Sequence, residues 1–166
     1  MTNDDVPKKE STKKKIVKVS QKEFPSTGIE KALLIARILW DEFGGAPTEP
    51  HQIAIALKLS PASSTWRVLT GSAIAYGLTD GGYNAKEIGL TPLGKSIVAP
   101  TSEGETAQGI VSAILKPQIM KTFFERFDNK KLPSPDIGAN ILSSFGVGSS
   151  DTLLANSSNP LSGFSV

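Results

Sequence analysis

Two helical patterns meet around Ser60-Pro61 with no room for a loop between them, and this junction constrains the fold more than any other stretch of the chain. Serine caps a helix because its hydroxyl accepts a hydrogen bond from an exposed backbone N–H. Proline suits the first helical position, where its missing N–H costs nothing. The pair predicts that one helix, from Glu49 to about Leu59, stops and that another, from Pro61 to Tyr76, starts at once. In the first helix Thr48 is the expected cap, Pro50 lies in the tolerated first turn, and Ile53, Ala56 and Leu57 form the inner face. In the second, Trp66, Leu69, Ala73 and Tyr76 share one face and are expected in the core. Ser63, Ser64, Arg67 and Thr70 fall in a neighbouring arc expected to face solvent. Gly77 suits the left-handed position that closes a helix. Leu78 to Tyr83 reads as a strand entering a glycine turn, and Lys86 to Leu90 as its return. Thr91-Pro92 then opens a short helix that Pro100 stops.

The flanking segments are helical too. Thr27 and Glu30 have the spacing of a capping box, and Ile29, Leu33, Ala36, Trp40 and Phe43 form an apolar stripe that ends at Gly44-Gly45. A helix is therefore expected from Gly28 to about Phe43. Beyond Glu103, Ile110, Ile114, Ile119, Phe123 and Phe127 predict a helix bent or broken before Pro117 and lying on the preceding unit. Ser134-Pro135 starts one more, reaching Phe145, with Ile137, Ile141 and Leu142 inward. The expected organisation is a basic tail over 1–23, a first folded unit over 24–100, a helical extension packed on it over 101–147, and a serine- and asparagine-rich tail over 148–166. The fold class is mainly α with a small β-hairpin.

Charge is unevenly spread. Residues 1–23 hold seven lysines against Asp4, Asp5, Glu10 and Glu23, whereas the rest of the chain is close to neutral. This tail lacks apolar periodicity and is expected to be disordered, its lysines either docking on phosphates or serving solubility. They are not followed by an apolar run, so the segment does not read as a secretory signal. No apolar run has the length of a bilayer span, so no membrane partner is expected. The chain has no cysteine, which excludes disulfides and thiolate metal sites and suits a reducing, cytoplasmic setting.

Catalytic signals are weak. Gly89-Leu90-Thr91-Pro92-Leu93-Gly94-Lys95-Ser96 matches GxxxxGK[ST], a phosphate-cradling pattern that needs a buried strand before it and a substantial helix after it. Here Tyr83 to Ile88 are mostly polar and Pro100 leaves barely two helical turns, so the match reads as the end of a hairpin strand and a capped helix. His51 is the only histidine, with neither a second histidine nor a cysteine to share a metal. One histidine and no GxSxG elbow leave no hydrolase triad. Neither an enzyme, nor a cofactor, nor a metal is expected.

With AYGLTDGG closing the second helix and LTPLGKSI following the hairpin, residues 29–98 resemble the winged helix-turn-helix domains of prokaryotic transcription regulators. The longer layout, a winged helix followed by a helical segment, is also similar to prokaryotic domains of unknown biochemical role. The resemblance implies a regulator that binds double-stranded DNA, with helix 61–76 as the recognition helix and 78–91 as the wing. Carried over by position, the contact residues are Ser63, Ser64, Arg67 and Thr70 on the helix, with Asn84 and Lys86 on the wing. The alternative is a non-catalytic adaptor that uses the same fold to bind protein through helices 106–145, or to form a homodimer.

Overall fold

The computed structural model describes residues 24–144 except Asn129. Among them the chain is mainly helical, with seven α-helices and one two-stranded antiparallel hairpin. The tails expected over 1–23 and 148–166, and Phe145, lie outside the described residues. No described helix is long and apolar enough to cross a membrane.

Helix α1 (Ile29–Asp41) buries Ile29, Ala32, Leu33, Ile35, Ala36 and Leu39, while Trp40 and the following Phe43 are half-buried. This face is wider than the expected stripe, because α2, α3, α4 and α5 all pack against α1. The predicted capping box does not form. Gly28 takes the N-cap position without a side-chain bond, and Thr27 is buried, its carbonyl accepting a 3.0 Å hydrogen bond from the Tyr76 hydroxyl. That bond ties the entry of α1 to the far end of α3.

Helix α2 (Pro50–Ala56) follows, with Ile53 and Ala54 buried and Glu49 at its N-cap position. Thr48, expected as the cap, instead exchanges two backbone hydrogen bonds with Ile88, at 3.0 and 2.8 Å, and adds a bridge to the edge of the hairpin. The helix also ends earlier than Leu59. Lys58 adopts a left-handed backbone, φ 57°, and the Lys58 and Leu59 amides donate back to Ile55 and Ala54 at 2.8 Å each. This is the usual closing pattern of a helix, with lysine where glycine is normally found.

The Ser60-Pro61 junction forms a turn rather than a helix start. The Ser63 amide donates to the Ser60 carbonyl at 3.0 Å, which places Pro61 at the second position of a four-residue turn, where its fixed φ is favoured. Helix α3 (Ser64–Ala75) begins three residues later than expected. Its cap is Ser63, whose Oγ accepts from the Trp66 amide at 3.1 Å. Trp66, Leu69, Ala73 and Tyr76 are buried, as their spacing predicts.

The hairpin has two residues per strand, β1 (Thr79–Asp80) and β2 (Gly89–Leu90), with Thr79 opposite Leu90 and Asp80 opposite Gly89. It is shorter than the predicted strands because Gly81, at φ 81°, turns the chain out of the ladder at once; a Cβ there would collide with the Glu87 carbonyl. Helix α4 (Pro92–Val98) is capped by Thr91, whose Oγ1 accepts from the Gly94 amide at 2.9 Å and donates to the Gly77 carbonyl at 2.6 Å.

Helices α5 (Glu105–Ile114) and α6 (Gln118–Arg126) are separated at Lys116-Pro117, the predicted break. Ile114 and Phe123 join the core, with Ile110, Ile119 and Phe127 packed at its margin. Helix α7 (Pro135–Ser144) packs on α6, but Ile137 is exposed rather than inward. Gly138 is the buried residue of that turn. It lies beside the Phe123 ring, and Ile141 follows on the same side. The side chain of Leu142 lies outside the described residues. One continuous core thus runs from Phe24 through α1, α3 and the hairpin to α6.

Candidate nucleic-acid interface

Helix α3 presents one face to the core and leaves Ser64, Thr65 and Arg67 exposed, with Val68, Gly71 and Ile74 half-exposed beside them. Of the residues that sequence places on this outer arc, two do other work. Thr70 is 1% exposed, and its hydroxyl donates to the carbonyls of Trp66 and Arg67, both at 3.1 Å. It stands one turn after Trp66 and so shares the buried face. Ser63 is half-buried; besides accepting from Trp66 it donates to the Ser60 carbonyl at 2.7 Å, so its hydroxyl is committed to the turn and cap.

The segment between the hairpin strands folds toward this outer face. A turn closes it, with the Ala85 amide donating to the Gly82 carbonyl at 3.0 Å. A Cβ on Gly82 would come within 3.7 Å of the Ile74 side chain, so the loop lies close to the end of α3. Tyr83, 43% exposed, extends its ring beneath the Arg67 guanidinium, which sits 5.1 Å from the ring centroid. Arg67 forms no ion pair among the described residues. Asn84 and Lys86 are both exposed on the same loop. Ser64, Arg67, Asn84 and Lys86 are thus exposed, with Arg67 beside the hairpin loop through Tyr83, whereas the hydroxyls of Ser63 and Thr70 are committed to the backbone of α3 and the turn before it.

Two further residues escape a reading of the sequence, Tyr83 in this region and Lys58 at the end of α2. Tyr83 is an aromatic inside a glycine turn, a place where an apolar ring has no core to fill, and that mismatch is the signal the sequence offers. Lys58, exposed at the end of α2, owes its position to a left-handed backbone that a lysine does not advertise.

Acidic groups nearby are partly committed. One Asp80 carboxylate oxygen accepts from the Gly89 amide at 2.9 Å, which holds the hairpin closed. The Glu49 carboxylate lies 3.2 Å from His51 Nδ1 on the surface of α2. Lys95 reaches the Trp40 ring, 5.8 Å from its centroid.

The GxxxxGK[ST] match spans β2, a capping threonine and α4, with no loop between strand and helix. The Gly94 amide is already bonded to Thr91, and a Cβ on Gly94 would collide with the Leu78 carbonyl. These glycines therefore serve strand pairing and close packing of α4 on the Leu78 backbone just before β1.

A second surface lies between α5 and α6. Two adjoining cavities of about 510 and 320 Å3 share Leu115, Phe124 and Asp128. Val111, Leu115, Phe127 and Leu132 give the floor an apolar character, and Lys121, Glu125, Asp128 and Lys130 supply both signs of charge around it. Phe123 stacks edge-on against Phe124 at 5.6 Å and tilted against Phe127 at 5.2 Å, which fixes the wall on the α6 side.

In comparisons with known proteins, no family model matches the sequence, and no curated protein and no solved structure is significantly similar to it.

Proposed function

We propose that residues 29–98 form a winged helix that binds double-stranded DNA, and that the protein is a non-enzymatic, cytoplasmic regulator of transcription. In this reading α3 enters the major groove and the hairpin loop lies along the flanking backbone. The observation that carries it is Arg67: an exposed guanidinium without an acidic partner among the described residues, held between the helix and the hairpin. Arginine in such a position reads guanine through O6 and N7. Ser64 and Asn84 supply short polar side chains on either side of it, and Lys86 a phosphate contact.

The test is selection from a library of randomised duplexes, followed by titration of the enriched duplex and a scrambled one. Enrichment of a common sequence, with an affinity ratio that shrinks about 5- to 150-fold in Arg67→Ala, is the expected outcome for removal of a bidentate hydrogen bond to a base. A library that yields no enriched sequence at low salt would refute the reading.

A second reading rests on the groove between α5 and α6, where exposed Val111 and Leu115 adjoin the half-buried Phe124 and Phe127 in one apolar lining. Its occupant is a second copy of the chain. A two-fold contact places a surface against itself, and a rim that carries both signs of charge, as Lys121, Glu125, Asp128 and Lys130 provide, is compatible with its own copy. Sedimentation should show a dimer that Leu115→Glu dissociates; a wild-type monomer at micromolar concentration excludes this contact.

A further inference from the structure

We infer that Tyr83 is the positioning residue for Arg67, holding its guanidinium ready for a base edge before any duplex arrives; this rests on the DNA-binding reading above. Arginine on an exposed helix face samples many rotamers, and ordering it on binding costs affinity. A ring beneath the guanidinium reduces that cost. The Tyr83 ring is 5.1 Å from the Arg67 guanidinium carbon, inside the range in which a cation is attracted to an aromatic face.

A ring attracts the guanidinium through its charge rather than as a lone-pair acceptor, so in-plane N–H groups remain for acceptors such as guanine O6 and N7. An acidic partner would have occupied those same N–H groups, and among the described residues Arg67 has none. The loop itself is held in place on both sides. Gly81 can adopt φ 81° where a side chain would collide with the Glu87 carbonyl, and Gly82 lies close to Ile74 of α3. With 43% of its surface exposed, Tyr83 is not part of the core, and its ring lies against Arg67.

The experiment compares the wild type with Tyr83→Phe, Tyr83→Leu, Arg67→Ala and the Arg67→Ala/Tyr83→Leu double variant. Each is titrated against the duplex enriched from the randomised library and its scrambled counterpart. Tyr83→Leu keeps apolar bulk but loses the ring, and should lower the ratio of the two affinities about two- to fivefold, the worth of an exposed cation–π pair. Tyr83→Phe should retain the ratio, and in the Arg67→Ala background Tyr83→Leu should have no further effect. The Arg67 Nε–H resonance of the free protein should lose its ring-current shift in Tyr83→Leu and keep it in Tyr83→Phe. An unchanged ratio in Tyr83→Leu, with the duplex still bound, overturns the positioning role alone. A decrease that persists without Arg67 overturns it as well, since Tyr83 would then touch the duplex itself. If the library enriches no sequence, the DNA reading and the role of the stack fall together.

Discussion

Tyr76 shows how one hydroxyl can fix two ends of a molecule. Its ring fills the core below α3, and its O–H donates to the carbonyl of Thr27, 49 residues away. Burial pushes its pKa well above the ordinary tyrosine value, since the phenolate would be stranded in apolar surroundings. The folded state therefore holds this proton more tightly than the unfolded chain does. That contribution to stability is complete below about pH 10, the unfolded tyrosine value, and declines as pH rises beyond it. Tyr76→Phe should cost about 1–3 kcal/mol at neutral pH, because the Thr27 carbonyl stays buried without its donor. The variant should also lack the alkaline decline that Tyr76 contributes, which urea titrations at pH 8 and pH 11 would reveal. Lys58 offers the opposite case. Its left-handed backbone costs an L-residue about 1–2 kcal/mol, whereas glycine escapes that cost and forfeits only about 0.4–1 kcal/mol of chain entropy. Lys58→Gly should thus raise stability by about 0.5–1 kcal/mol in thermal unfolding, and a decrease would mean that the left-handed turn is not populated. At this scale the sequence is partly legible. Trp66 lies where its spacing puts it, fully buried, and it anchors by volume, since its indole N–H finds no partner among the described residues. Thr70 departs from its expected place because a hydroxyl that bonds back to its own helix can be buried at no polar cost, and composition does not distinguish that from an exposed threonine.

Elements are more legible than residues wherever two signals coincide. Pro117 and the change of apolar period locate the α5–α6 break, and Thr91-Pro92 locates the start of α4 together with its cap. Ser60-Pro61 carries a similar hydroxyl–proline pair and gives a turn, because serine and proline serve the first two turn positions as well as a helix start. The difference lies in what surrounds them: Thr91 can donate to Gly77 and is drawn onto the core, while Ser60 and Pro61 are exposed. Thr48 has the character of a cap until its partner is known, and that partner, Ile88, lies 40 residues away and is found only through the fold. Close packing of α4 on Leu78, just before β1, makes Gly94 the most demanding glycine of the group. Here the obstacle is the Leu78 backbone, which has no flexible end to move aside. Gly94→Ala should destabilise by about 1–3 kcal/mol or more, as overpacking does. For the wild type, ATP with magnesium should leave the melting temperature unchanged; a clear rise that Lys95→Ala abolishes would reinstate the phosphate-binding reading of the motif.

The whole molecule separates charge from shape. Residues 24–144 carry eleven basic and eleven acidic side chains, so the described part has no net charge to draw in a polyanion. Residues 1–23 carry seven lysines and four acidic residues, an excess that the folded part lacks. Association with a duplex is governed by the number of phosphates neutralised, whereas choice of sequence is governed by hydrogen bonds to base edges. The proposed function therefore assigns the two tasks to different parts of the chain: the lysines of the first 23 residues raise affinity for any duplex, and Arg67 with its stacked tyrosine distinguishes one duplex from another. Deleting residues 1–23 should weaken binding to the enriched and the scrambled duplex alike, and flatten the dependence of log affinity on log salt by about 0.9 for each phosphate left without a lysine. Arg67→Ala should do the reverse, shrinking the ratio between the duplexes and moving the salt slope by no more than about 0.9, the equivalent of a single phosphate. Anisotropy titrations of both variants at two salt concentrations separate these effects. A deletion that changes the ratio between duplexes while leaving the slope intact would place sequence choice in the lysine-rich segment, and α3 would then be a scaffold rather than a reader.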